Sequence, residues 1–299
     1  MAERLTFGPA TLAPYRGPIQ RPALTSRYFA YLHAFDPLAA SAVGSRDDFV
    51  VSAEADFEIM KIAVLANNYG AKIRLEATPQ SESYTSVPIF LSALAGRKPL
   101  ILDPGLRLRR NSVVTAILDD RQTTAASQSI FIAYHGRKVG DHPYLPPRVY
   151  HFAKPYWYVA NFTANDGGSG ALAANGTGAA SIRTDGDSDF EVRKILCVSD
   201  AEFACQVESQ GGDLWFNEFM RSELLSGSLI ETPPVNVPYF AGEYPFELPA
   251  PRVIQGANYI TVHVEERGSA ANRIQVIFYG VRLYPAGGVG GRRSGLTVV

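Results

Sequence analysis

The chain has 299 residues, and its 28 Lys+Arg stand against 29 Asp+Glu for a formal charge of −1. That balance sets up no strong field for nucleic acid or an anionic membrane surface, and no apolar run approaches the roughly 18 residues of a membrane span. Two cysteines cannot build a Cys-rich zinc site, and the length suits two domains of ordinary size, each burying its own core.

Met1-Ala2-Glu3-Arg4-Leu5 lacks the apolar stretch of a secretory signal, so synthesis and folding in a cytosol is expected. Residues 1–27 carry Pro9, Pro14, Pro18 and Pro22, with Arg4, Arg16, Arg21 and Arg27 against Glu3. Proline at that density works against helix and strand ladder alike, which predicts an extended arm. The arm is either a disordered terminus or a segment that docks on a partner.

Residues 28–140 read as a β-rich unit punctuated by Asp36-Pro37, Asn67-Asn68-Tyr69-Gly70, Asp103-Pro104-Gly105 and Asp119-Asp120. Many short strands without a 3.6-residue pattern predict an antiparallel sandwich or barrel, with one helical turn at most, near Ile89 to Leu94. Residues 141–155, with His142-Pro143, Pro146-Pro147 and Lys154-Pro155, read as a semi-rigid linker. A second β unit spans 156–284. It carries a Gly/Ala-rich loop over 165–178 and an excursion over 211–242, and a Gly-rich tail follows over 285–299.

The two units repeat one another. Asp56-Phe57-Glu58-Ile59-Met60-Lys61-Ile62 returns as Asp189-Phe190-Glu191-Val192-Arg193-Lys194-Ile195, and a self-match of this kind points to duplication. Further matches join Ala71–Glu76 to Phe203–Glu208, Asn111–Ile117 to Asn258–Val264 and Ile130–Gly136 to Ile274–Gly280. Tyr28-Phe29-Ala30-Tyr31 pairs with Tyr156-Trp157-Tyr158-Val159, and Lys138 with Arg282. In both copies the apolar phase slips by one after Ile59 and after Val192. Such a slip marks a β-bulge or, alternatively, a strand buried on both faces.

Residues present in both copies serve the fold first, so Asp56/Asp189, Glu58/Glu191 and Lys61/Lys194 are read as turn caps and outward pairs. Asp185-Gly186-Asp187-Ser188-Asp189 opens like a calcium loop but lacks the Gly and Glu that an EF-hand needs further on. His33, His135, His142, His151 and His263 show no zinc-hydrolase spacing, and no nucleophile elbow or phosphate loop occurs. No catalytic residue, metal or cofactor is therefore assigned. A turn near Ala201 would place Cys197 opposite Cys205, but their counterparts Val64 and Ile73 favour two buried thiols.

One apolar cluster, Trp215, Phe216, Phe219 and Met220, looks confined to one copy. Such a cluster either tucks over the sandwich or faces a partner. Together with Arg16 and Arg21 of the arm, these are the candidate partner-binding residues.

Tandem small sandwiches with a Pro-rich arm and a Gly-rich tail resemble tailed-bacteriophage virion proteins of the jelly-roll-like decoration, cement or neck type. The residues behind the resemblance are the repeated Asp-Phe-Glu-Ile/Val-x-Lys-Ile strand and the closing strands His135-Gly136-Arg137-Lys138 and Tyr279-Gly280-Val281-Arg282. It covers Tyr28 to Tyr284 and transfers no functional residue. It implies an all-β fold of two tandem antiparallel β-sandwich domains, and a non-enzymatic structural role in the virion. Its expected partners are protein neighbours in a symmetric assembly of capsid, portal or neck subunits, with homo-oligomers, without membrane and with nucleic acid disfavoured. The alternatives are a carbohydrate- or receptor-binding module using Tyr156, Trp157 and Tyr158 or Trp215, and, further off, a glycoside hydrolase.

Overall fold

Alternation of side chains along each strand builds the fold. In Lys72–Thr78, buried Ile73, Leu75 and Ala77 take turns with the more exposed Lys72, Arg74 and Glu76, the signature of a strand with one face on a core. The computed structural model describes residues 19–39, 42–66, 71–78, 82–83, 87–94, 99–119, 128–141, 144–162, 171–225, 229–230, 245–268 and 271–285. The Asn67–Gly70 turn, residues 165–170 of the 165–178 loop, most of the 211–242 excursion beyond Leu225 and the 286–299 tail lie outside them.

The first half contains β2 (Ser26–Leu38), β3 (Ser45–Val50), β4 (Asp56–Ala66), β5 (Lys72–Thr78), β6 (Glu82–Ser83) and β7 (Ile89–Phe90). The turn α1 (Leu91–Leu94), β8 (Leu100–Leu108), β9 (Val113–Asp119) and β10 (Gln128–Val139) complete it. Apart from the short β6 and β7, which stay with β5, successive strands alternate between two sheets, ordered β2-β10-β4-β8 and β3-β9-β5-β6, with β7 also on β5. This is a jelly roll.

The second half repeats the plan with β11 (Arg148–Phe162), β12 (Thr177–Arg183), β13 (Asp189–Ser199), β14 (Phe203–Ser209), β15 (Asp213–Leu214) and β16 (Met220–Arg221). It continues through α2 (Ser222–Leu225), β17 (Leu229–Ile230), β18 (Phe246–Ile254), β19 (Tyr259–Glu266) and β20 (Ile274–Pro285). Its sheets run β11-β20-β13, with β18 on β13, and β12-β19-β14-β15, with β16 on β14. The chain is thus all-β, two tandem antiparallel jelly-roll sandwiches. Among the described residues, no helix is long and apolar enough to cross a membrane.

The repeated irregularity is a β-bulge. Along β10, His135 faces Lys61 and Gly136 faces Ile59, leaving Met60 unpaired; along β20, Tyr279 faces Lys194 and Gly280 faces Val192, leaving Arg193 unpaired. The bulge crowds the neighbouring strand so closely that a Cβ on Gly136 would collide with the carbonyl of Glu58, and one on Gly280 with that of Glu191. A glycine stands at each crossing for this reason.

Register also corrects several expectations. Gly136 faces Phe29 and Gly280 faces Tyr156, so Tyr156 is the counterpart of Phe29 and not of Tyr28. Likewise Leu75 faces Ala116 and Val207 faces Val262, which moves the β9/β19 match by one residue. Both slips follow similar letters one position out of phase. In strands a one-residue slip sends every side chain to the wrong face.

The linker reading of 141–155 is corrected at its end. Arg148 already begins β11, and Pro155 sits opposite Val281 on an edge stretch where a missing N–H costs no ladder bond. The arm reading changes as well. Ile19–Arg21 is β1, pairing antiparallel with Arg148–Tyr150, so the arm does form a ladder between Pro18 and Pro22. Cys197 and Cys205 lie in different sheets as buried thiols with no disulfide between them, and the turn near Ala201 crosses between sheets without making a hairpin.

Candidate assembly interface

The β2-β10-β4 sheet is covered on both sides. Phe29, Tyr31, Ile59, Ile62, Ile132 and Tyr134 point into the first sandwich. Tyr28, Ala30, Leu32, Ala63, Phe131 and Ala133 point the other way and merge with the core of the second sandwich. Three of those six are alanines, and they leave room for the large side chains of the opposing segment.

That segment runs from β15 to α2 and continues at the start of β18. Phe216 forms a parallel bridge to Ala30 on the β2 edge. The Ala30 N–H donates to the Trp215 carbonyl (3.0 Å), the Asn217 N–H donates to the Ala30 carbonyl (3.2 Å), and the Leu32 N–H donates to Asn217 Oδ1 (2.8 Å). The open edge of β2 is thereby closed by strand addition within one chain. Trp215 turns inward against Phe278, whereas Phe216 turns outward, edge-on to Tyr28. Burying an aromatic of this size contributes about 2–3 kcal/mol.

Polar groups in the seam are paired across it. His135 lies under Phe246, at 4.6 Å between ring centres. Its Nδ1 is 3.0 Å from the Tyr28 hydroxyl and its Nε2 is 3.0 Å from the Leu224 carbonyl, so a neutral ring accepts from the tyrosine and donates to α2. Burial, reinforced by nearby Lys61, pushes the His135 pKa down to about 3 even though the Leu224 bond opposes it. Arg252 is buried and packs over the Trp215 ring. It donates to Asp213 (2.7 Å), the Leu214 carbonyl (3.0 Å) and the Tyr28 carbonyl (2.9 Å). Asp213 also takes Arg27 at 2.8 Å, which ties the foot of β2 to the second sandwich. Burial lowers the Arg252 pKa to about 10 against the pull of Asp213, so the guanidinium stays charged at neutral pH. From the first half, Lys61 donates to the Glu247 carbonyl at 3.0 Å, and from the second, Arg221 lies over the Phe131 ring.

The candidate residues fall as follows. Trp215, Phe216 and Met220 are fully buried and Phe219 is half-buried, so the first three are corrected from an outward partner face to the interior, with Phe216 against Tyr28 in the contact between the sandwiches and Trp215 turned into the second sandwich against Phe278. Arg21 pairs with buried Glu191 at 2.7 Å within the chain, a further correction, and Arg16 lies outside the described residues. The cluster is also not an addition to one copy. Glu208 and Ser209 face Leu214 and Asp213 just as Glu76 and Ala77 face Ser83 and Glu82, and Cys205 faces Met220 as Ile73 faces Ile89. What is longer in the second copy is the run between α2 and β18.

The repeated acids hold the fold. Asp56 binds Arg107 at 2.9 Å, Asp189 binds Arg148 (2.6 Å) and the Tyr150 hydroxyl (2.8 Å), and Glu58 binds Arg137 at 2.7 Å. In the would-be calcium loop, Asp185 and Asp187 both hold Arg282. No metal-binding group of His, Cys, Asp or Glu occurs among the described residues. Tyr156, Trp157 and Tyr158 do not make a platform, because alternation buries Tyr158 and turns Trp157 to the opposite face beside Tyr279. Sequence reasoning missed Tyr28, His135 and Arg252. The available signal was a charged residue at Arg252 where the first copy has Leu106, both facing the bulged strand at Val192 and Ile59.

No family model and no curated protein matches the chain. Among solved structures it is similar to the major capsid protein P2 of bacteriophage PM2, with 9% identity over 89% of this chain and 99% of that one and a TM-score of 0.24. It is similar also to N-glycanase F (10% identity, 87% and 96% covered, TM-score 0.22) and to a structure of infectious bursal disease virus Gx strain (9% identity, 90% and 72% covered, TM-score 0.17). Viral shell structures thus stand beside an enzyme, and at such scores none of these likenesses decides the function.

Proposed function

We propose that the chain is a non-enzymatic structural subunit of a phage virion, a decoration, minor capsid or neck component that works through protein–protein contacts. The observation that carries this reading is the β2-β10-β4 sheet buried on both faces. A jelly-roll face is here already an interface, and two sandwiches are joined into one body whose loops and edges remain for neighbours. The test is quantitative mass spectrometry of purified particles from the source, comparing the full chain with a form lacking residues 1–18. The cut spares β1 and Arg27, which belong to the second sheet and to the seam. The full chain is expected at a fixed stoichiometry and the truncated chain is expected to fold but to be left out; absence of the full chain from particles overturns the reading.

A second reading, glycan binding, is favoured by one observation, the exposed Trp157 set edge-on to Tyr279 at 6.0 Å. Saturable binding on a glycan array that is lost in Trp157→Ala would support it over assembly.

A further inference from the structure

The second sandwich presents the equivalent outer face, and among the described residues its β11 side stays exposed while Leu196 on β13 is buried. Register equates Trp157 with Ala30, Val159 with Leu32, Ile277 with Ala133, Tyr279 with His135 and Leu196 with Ala63. In the first sandwich these positions are sealed; in the second, Trp157 is 54% exposed and Val159 42%. The first sandwich, conversely, carries the same projecting segment as the second. Phe90 stands where Arg221 does, Leu100 where Phe246 does and Ile101 where Glu247 does, and counting back along the chain from Ile89 and Met220 puts Val87 where Glu218 is. Arg221, Phe246 and Glu247 are contact positions in the internal seam. Their counterparts are exposed, Phe90 at 50%, Leu100 at 37% and Ile101 at 64%, and Val87 beside them is 62% exposed.

We infer that a second copy of this chain fills each gap: the ridge of Val87, Phe90, Leu100 and Ile101 in one copy seats on the face of Trp157, Val159 and Tyr279 in the next, repeating between chains the contact made once within each. Large apolar side chains exposed at both halves of a known contact geometry mark an interface better than scattered ones do. The sizes agree. The first face has Ala30 and Ala133 and meets Phe246, whereas the second has Trp157 and Ile277 and would meet the smaller Leu100. The free β11 edge at Trp157 and Val159 corresponds to the β2 edge that takes backbone bonds from residues 215 and 217. Each copy offers one ridge and one face, so the contact is heterologous and closes to a ring or continues as a filament.

The inference rests on the assembly reading above and is tested apart from particles. Sedimentation velocity of the full chain is compared with Trp157→Asp and Ile101→Asp, each checked for an unchanged melting temperature. Val159→Asp and Phe90→Asp stand in should either variant melt lower. The wild type is expected to self-associate and each variant to be weakened at least about 30-fold, as for a charge placed at the centre of an interface. An equimolar mixture of the two variants, one with an intact ridge and the other with an intact face, is expected to form dimers and nothing larger. A monomeric wild type, a variant that associates like the wild type, or a mixture that stays monomeric overturns the inference. Oligomers that never enter particles would sink the virion reading and leave this contact standing; particles built from a chain that does not self-associate would do the reverse.

Discussion

The β2-β10-β4 sheet and the β11-β20-β13 sheet share strand order, bulge and crossing glycine, yet their outer faces differ at almost every position. Toward the inner core the two agree in kind, as with Ile59 and Val192, Ile62 and Ile195, or Tyr134 and Phe278. Toward the outside, Ala30 stands against Trp157 and Ala133 against Ile277. A position facing a similar inner core meets similar demands in each copy. A position on the outer face answers to whatever lies against it, and here those surroundings differ. Similarity between copies therefore marks the scaffold, and difference marks the contacts.

The largest expected effect sharpens that contrast. Trp215→Ala opens a cavity against Phe278 just beneath the seam and should cost about 4 kcal/mol in denaturant unfolding, whereas Trp157→Ala, exposed in the single chain, should stay within about 0.5 kcal/mol at monomeric concentrations. Equal losses at both sites would break the distinction between a sealed and an open face. Next, Gly136→Ala and Gly280→Ala should each cost about 3 kcal/mol by overpacking against the bulge, and by similar amounts. A tolerated alanine at either would mean that the two crossings are not built alike.

Arg252→Leu places in the second copy the residue type of Leu106. It strips the Tyr28 and Leu214 carbonyls of their donor but leaves Asp213 paired with Arg27, so a loss of about 2 kcal/mol is expected by thermal melting at neutral pH. His135 gives a pH signature. The unfolded ring takes a proton near pH 6.5 and the folded ring only near pH 3, so the unfolded state binds more protons between them and stability falls on acidification. The slope through that window should approach about 1.4 kcal/mol per pH unit, and His135→Gln should flatten it; an unchanged pH profile in that variant would contradict the seam geometry. The smallest effect belongs to removal of residues 1–18, which should leave the melting temperature unchanged while altering incorporation.

Much of the scaffold was legible. The Asp-Phe-Glu repeat located both bulged strands, and the one-residue phase slip after Ile59 and Val192 narrowed the irregularity to a bulge or a strand buried on both faces, because period-two alternation records which side chains share a face; the register shows the bulge. The candidate site was legible only in part. Trp215, Phe216 and Met220 were found as a cluster, but they turned out to join the two halves. Their counterpart segment, Glu82 to Leu94, is so different in residue type that duplication there could be seen only in strand register. Arg21, set between two prolines, gave no sign that β1 would pair with β11 and bring it to Glu191.

By itself the amino-acid sequence determined the all-β class, the doubling of the unit and the phase slip in both copies, since each can be read from alternation along the chain. Only the tertiary structure decided which sheet face is sealed and which stands open, that His135 and Arg252 are buried, and that Phe216 closes the edge of β2. Alternation gives a strand two faces but does not say what lies against either one. That depends on how residues far apart in the chain are brought together.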